Sequence, residues 1–188
     1  MILVKKLSDN AKGYIDNYFQ TVEEMAERMR AVEQTQSISE MFINQMIAHH
    51  EGAISLSENI LNYTTNTDIE NLAKAIIIGE NQQIIQMEDM LSTCAACDSN
   101  SRDISLYQRQ FNTALDTMLR RMNNVQAGNN LDAAYLNGMI PHTEGVISMA
   151  RNVLQFDICP HLRELVEKLI QDKTSQLEQM RLLLRRLS

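Results

Sequence analysis

The chain has 188 residues, 44% hydrophobic and 22% charged, with a net charge of −7. An acidic chain with no basic stripe ahead of the short "RLLLRR" tail argues against nucleic acid as a partner, and no apolar run approaches the roughly 20 residues of a membrane span. Six glycines, two prolines and 5% aromatics argue against a sheet protein, while the abundance of Leu, Ile, Met, Glu, Gln and Arg favours helix, so the fold class is all-α.

The start, "MILVKKLSDN", has too short an apolar run for a secretory signal, which leaves a cytosolic protein or a mature chain whose signal has been removed. The first predicted helix runs from about Asn10 to Thr35, capped by Ser8 or Asp9. Its apolar positions are Tyr14, Tyr18, Val22, Met25, Met29 and Val32, at steps of three and four. The second runs from about Ser39 to Tyr63. The third opens on the capping-box pattern Thr67-Asp68-Ile69-Glu70 and continues to about Ser92. A linker then carries Cys94 and Cys97 as C-A-A-C. The fourth helix ends near Gly128. The fifth contains Pro141, which predicts a kink over 137–141, and the sixth starts at Pro160. Short connections predict that consecutive helices run antiparallel, which brings the linker to the same end as Cys159. With three cysteines, one intramolecular disulfide at most can form, and Cys159 with Cys94 or Cys97 is one pairing that this geometry permits.

The second half repeats the first. Shifted by 93 positions, Asn44 to Leu61 aligns without a gap on Asn137 to Leu154, the best-matched stretch. The reading is six helices from two fused three-helix repeats, 1–93 and 94–188, packed as one compact domain with the two motif helices near a pseudo-two-fold axis. Nothing in the sequence fixes the oligomeric state, and a homo-oligomer stays open.

The repeated unit carries the chemistry. Met46, His49 and His50 stand at i, i+3 and i+4 on one helix face, and Met139 and His142 repeat the first two. Thioether and imidazole are neutral donors that suit a soft monovalent cation, Cu(I) or Ag(I), rather than Mg(II) or Ca(II). Met87 and Met180, on the neighbouring helices, can each add a sulfur. Met25, Met29, Met118 and Met122 read as core packing. Gly52 and Gly145 beside the histidines cost roughly 1 kcal/mol each in a helix interior, a cost that packing or a site must explain. Glu51 and Glu144 point away from His49 and His142 and read as exposed charges or inter-helix ion pairs. His161 lies outside the repeat and reads as surface. No histidine is preceded by Glu at three residues, and no nucleotide, hydrolase or zincin motif is present, so the chain reads as non-catalytic. A structural or partner-binding helical module, with Met-x-x-His as core, is the alternative.

The phrase "MFINQMIAHHEGAISLSENIL" resembles the family known as domain of unknown function 305, whose hallmark is F-x-x-x-M-I-P-H-H-x-x-A-I-x-M-A followed by a helix ending in Q-x-x-E-I-x-x-M. Phe42, Met46, Ile47, His49, His50, Ala53 and Ile54 match in the first copy, and Met139, Ile140, Pro141, His142, Ile147, Met149 and Ala150 in the second. Met87 and Met180 match the closing methionine. The resemblance implies a ferritin-like helical bundle, export to the periplasm, and copper bound through Met and His as in CopM-type proteins, for copper tolerance or buffering. Here Thr143 replaces the second histidine of the later copy, Leu56 replaces a hallmark Met, and Q-x-x-E reads Glu80-x-x-Gln83 and Lys173-x-x-Gln176.

Overall fold

A computed structural model describes residues 7–126 and 128–187; residues 1–6, read above for a signal, lie outside it. Six α-helices occupy the described residues: α1 (Asp9–Arg30), α2 (Ile38–Leu61), α3 (Thr67–Ala95), α4 (Ser101–Met122), α5 (Leu131–Val153) and α6 (Pro160–Leu187). Five start on a side-chain cap: the Ser8 hydroxyl accepts from the Ala11 amide, Ser37 from Glu40, and Asn66, Asn100 and Asn130 serve α3, α4 and α5.

Two ends fall short of the sequence reading. α1 stops at Arg30 and not near Thr35, and α4 at Met122 and not near Gly128. The apolar rhythm persisted past both ends, at Val32 and Val125, and periodicity alone does not separate a helix from a packed connector. α5 runs on through Pro141.

α1 and α4 are amphipathic and present one stripe, Tyr14–Tyr18–Val22–Met25–Met29 and Tyr107–Phe111–Leu115–Met118–Met122, to the interior. α2 and α5 are buried around much of their circumference, the pattern of a central helix. Within each half, α2 packs on α1 and α3, and α5 on α4 and α6; the halves meet chiefly through α2 against α5.

The repeats share interactions as well as sequence. Asn59 Nδ2 donates to the carbonyl of Tyr14 at 2.9 Å, and Asn152 Nδ2 to that of Tyr107 at 3.3 Å. Arg28 pairs with Glu51, and Arg121 with Glu144, which also meets Arg181. Glu51 and Glu144 are thus inter-helix ion-pair partners, as expected.

The repeated glycines are explained by packing. A Cβ on Gly52 would lie 2.5 Å from Met25 Sδ, and one on Gly145 would lie 2.4 Å from Met118 Sδ. Met25 and Met118 are themselves equivalent positions, so each half seats a methionine of its outer helix against the bare backbone of its central one. Gly52→Ala and Gly145→Ala are therefore expected to cost about 1–3 kcal/mol through overpacking, despite the gain in helix propensity. Gly79→Ala, with nothing within 4 Å of its Cβ, is expected to stabilise by about 1 kcal/mol. Urea melts of the three variants check this, and a stabilised Gly52→Ala would refute it.

Candidate metal centre

The α2–α5 contact carries the two histidines that the repeat preserves. His49 and His142 stack face to face, with ring centroids 3.8 Å apart and planes 24° from parallel. Equivalent positions of two repeats can touch in this way only at the pseudo-two-fold axis, so the motif helices do pack there. The sequence reading of two separate sites is corrected in this respect: their histidines form one cluster. His50 joins it with its ring edge-on to His49, at 5.8 Å.

All seven predicted ligands are buried: Met46, His49 and His50 from α2, Met87 from α3, Met139 and His142 from α5, and Met180 from α6. Met25, Met29, Met118 and Met122 are core as expected, and His161 is exposed.

Two residues of the cluster were not predicted. Glu80 of α3 and Lys173 of α6 are 2% and 5% exposed and form a buried ion pair through Oε1. They too are equivalent positions, 93 residues apart, which places the pair across the same axis. Glu80 Oε2 lies 2.9 Å from His50 Nδ1. The signal was present in the sequence: opposite charges occupied one repeat position, facing the histidines. What hid it is that charged side chains are almost never fully buried unless paired, and the pairing is tertiary.

The electrostatics follow from burial. Dehydration opposes charging of His49 most strongly, and the charges of His142, His50 and Lys173 add to it, so its pKa falls well below the ordinary value. The His142 carbonyl works in the other direction without reaching good hydrogen-bond geometry. His142 is lowered to about 3, again chiefly by dehydration. Dehydration pushes the Glu80 carboxyl up, but His50 and Lys173 outweigh it and hold it below the usual carboxylate range. The cluster therefore contains one ionised carboxylate, paired with Lys173 and facing His50, beside the two uncharged imidazoles of His49 and His142.

The chain is matched by the family profile "Domain of unknown function (DUF305)" over residues 17–91 and again over 41–184. It belongs to the DUF305 family. Among solved structures, this DUF305 protein is similar to CopM in a silver-bound form obtained by soaking, with a TM-score of 0.60 and 20% identity over 81% of this chain and 98% of that one. CopM in a Cu(II)-bound form gives a TM-score of 0.60 and 20% identity over 82% and 100%. A DUF305 fragment from Deinococcus radiodurans gives 0.58 and 21% over 79% and 95%. These likenesses establish the shared helical fold. No curated protein matches the chain.

The donor set suits a soft cation. Both nitrogens of His49 and His142, and Nε2 of His50, are buried without a hydrogen-bond partner in the protein. The uncharged imidazoles of His49 and His142 in that state offer lone pairs. His50, with Nδ1 turned to a carboxylate and Nε2 free, has the arrangement usual for a metal-ligating histidine. Among the described residues no group of three or more His, Cys, Asp and Glu side chains is set to hold a metal ion. No helix among the described residues is long and apolar enough to cross a membrane.

Proposed function

We propose that this DUF305 protein is a non-catalytic soft-metal carrier. On this reading it binds Cu(I) or Ag(I) through His49, His142, His50 and neighbouring methionines, for copper tolerance or buffering in an exported setting. The observation that carries the reading is the set of buried imidazole nitrogens without protein partners, drawn from both repeats into one place. The metal-bound forms of the structurally similar CopM support it.

Met46 and Met139 stand one helical turn before His49 and His142, and Met87 and Met180 lie on the facing helices α3 and α6. These are the sulfurs assigned to the site. His50 is assigned to bind through Nε2, with Glu80 holding the proton of Nδ1 in place. A cavity of about 180 Å³ between α3 and α6, lined by Gly79, Gln83, Lys173 and Gln176, reaches the Lys173 side of the buried ion pair.

The second reading is a structural core. The His49–His142 stack and the Glu80–Lys173–His50 network favour it, since both are self-sufficient as packing. Competition of metal-free protein against a Cu(I) chelator separates the two. The expected result is tight binding by the wild type and loss of about 100-fold or more in affinity for His49→Ala/His142→Ala, because two of the ligands are gone. Equal affinities, with both proteins folded by circular dichroism, would establish the structural reading.

A further inference from the structure

The cysteines form a second cluster, at the end of the bundle and away from the histidines. Cys159 is the residue just before Pro160, where α6 begins, so it occupies the N-cap position. The equivalent residue in the first repeat is Asn66, whose side chain accepts from the Asp68 amide to cap α3. At residue 159 a sulfur takes over that place, beside the backbone N–H groups of His161 and Leu162, which favour its charged form. A helix N-terminus is where a thiolate is stabilised. The Cys94 and Cys97 thiols both lie near enough to the same sulfur to influence its charge, and Cys97 Sγ donates to the carbonyl of Thr93 at 3.9 Å. Cys94 and Cys159 are buried, whereas Cys97 is partly open to solvent.

The backbones of the two buried cysteines are fixed to one turn of α2. Ser37 Oγ donates to the carbonyl of Cys94 at 2.8 Å, and the Cys159 amide donates to Ser39 Oγ at 3.0 Å. Two buried cysteines whose main chains are anchored to the cap and first turn of one helix, two residues apart, are held near enough to be joined by a disulfide.

We propose that Cys94, Cys97 and Cys159 form a redox-active site that closes a Cys94–Cys159 disulfide, clamping the end of α3 to the start of α6, with Cys97 as the solvent-facing exchange thiol. The site is independent of the metal centre. The oxidant it takes is a small-molecule disulfide. Cys97, whose thiol is pushed above its ordinary pKa by dehydration and by Cys159, attacks one sulfur of that disulfide through its minority thiolate and releases one small thiolate. Cys159 thiolate then attacks the Cys97 sulfur and releases the second. Cys94 attacks the Cys159 sulfur of the Cys97–Cys159 bond, and Cys97 leaves as thiolate and regains its proton. In sum, two protein thiols are oxidised to one disulfide and one small disulfide is reduced to two thiols, with the two protons of the protein thiols ending on the small thiols.

Dehydration works against a charged sulfur at Cys159, but the neighbouring groups of Cys94, Leu162, Cys97 and His161 outweigh it and lower its pKa. Dehydration and contact with Cys159 push Cys94 up to about 12, so it attacks only as it passes its proton to the departing Cys97 thiolate.

The test uses the reduced, chelator-treated full chain with oxidised glutathione as probe, followed by alkylation and non-reducing peptide mapping. The expected product is a Cys94–Cys159 link with one alkylatable thiol at Cys97, and a rise in Tm of about 5–15 °C that a reductant reverses. Cys159→Ser keeps a capping oxygen and is expected to fold without forming the link. Cys97→Ser is expected to form the same link more slowly. Three persistent thiols in the wild type, a Cys94–Cys97 link alone, a stable glutathione adduct on Cys97, or a bound metal ion that blocks the link would each overturn the proposal. An unchanged rate in Cys97→Ser would overturn the role given to Cys97.

Discussion

Glu80→Ala is expected to destabilise the protein by about 3–5 kcal/mol, lowering Tm by roughly 10 °C or more. Among the described residues the carboxylate is the one counter-charge at hydrogen-bond distance from Lys173 Nζ, itself 5% exposed, and it also faces His50 Nδ1 at 2.9 Å. Removing it strands a dehydrated cation. The complementary experiment removes both charges. Glu80→Met/Lys173→Met fills the same volume with apolar atoms and is expected to lie within about 1 kcal/mol of the wild type, because dehydration of a buried pair consumes most of its attraction. Urea melts of the two variants decide the matter, and a double variant as damaged as the single would show that the pair is not the reason. The substitutions also report on the metal centre. If His50 binds through Nε2, loss of its carboxylate partner lowers Cu(I) affinity by about 10–100-fold even in the stable double variant.

The second large effect is with pH. His49 and His142 are held uncharged in the folded state, with His142 at about 3, while the unfolded chain protonates both near 6.5. Their folded pKa values lie below the unfolded ones, so the unfolded state takes up protons first as pH falls. The stability of metal-free protein is therefore flat above about pH 7 and declines below pH 6.5, by about 1.4 kcal/mol per pH unit for each histidine. Between pH 7.5 and 5 the two together remove about 4 kcal/mol. The depressed pKa of Glu80 acts in the same direction at lower pH: the stability it lends is present above the ordinary carboxylate value and lost as pH falls toward its folded value. Denaturant midpoints across this range measure the slope. His49→Gln/His142→Gln, which cannot take up the protons, is expected to lose it. A wild type of constant stability from pH 7.5 to 5 would mean that the imidazoles charge without cost and are not buried as described.

Much of the candidate site was legible along the chain because a duplication is its own control. A residue kept in both copies has a reason shared by both, and that singled out Met46 with Met139 and His49 with His142. The same logic flagged Gly52 and Gly145 but left packing and a site open as their reason, and the structure decides for packing, since each makes room for a methionine of the preceding helix. It also passed over Glu80 and Lys173, which differ between the copies and meet because they differ. Comparing repeats finds what symmetry preserves; where two equivalent positions touch across the axis, complementarity calls for unlike residues, and identity no longer marks them.

The sequence by itself determined the six helices, the cap of the first, the two-fold repetition and the residue types available for ligation. These depend on local propensity and on periods of three and four residues, which neighbouring positions encode. Only the tertiary structure decided that the two histidine motifs share one centre, that an ion pair buried across the axis accompanies them, and that three cysteines converge on the cap of α6. Each of these joins residues far apart in the chain, and its energy comes from removing both partners from water together, which no stretch of sequence can express alone.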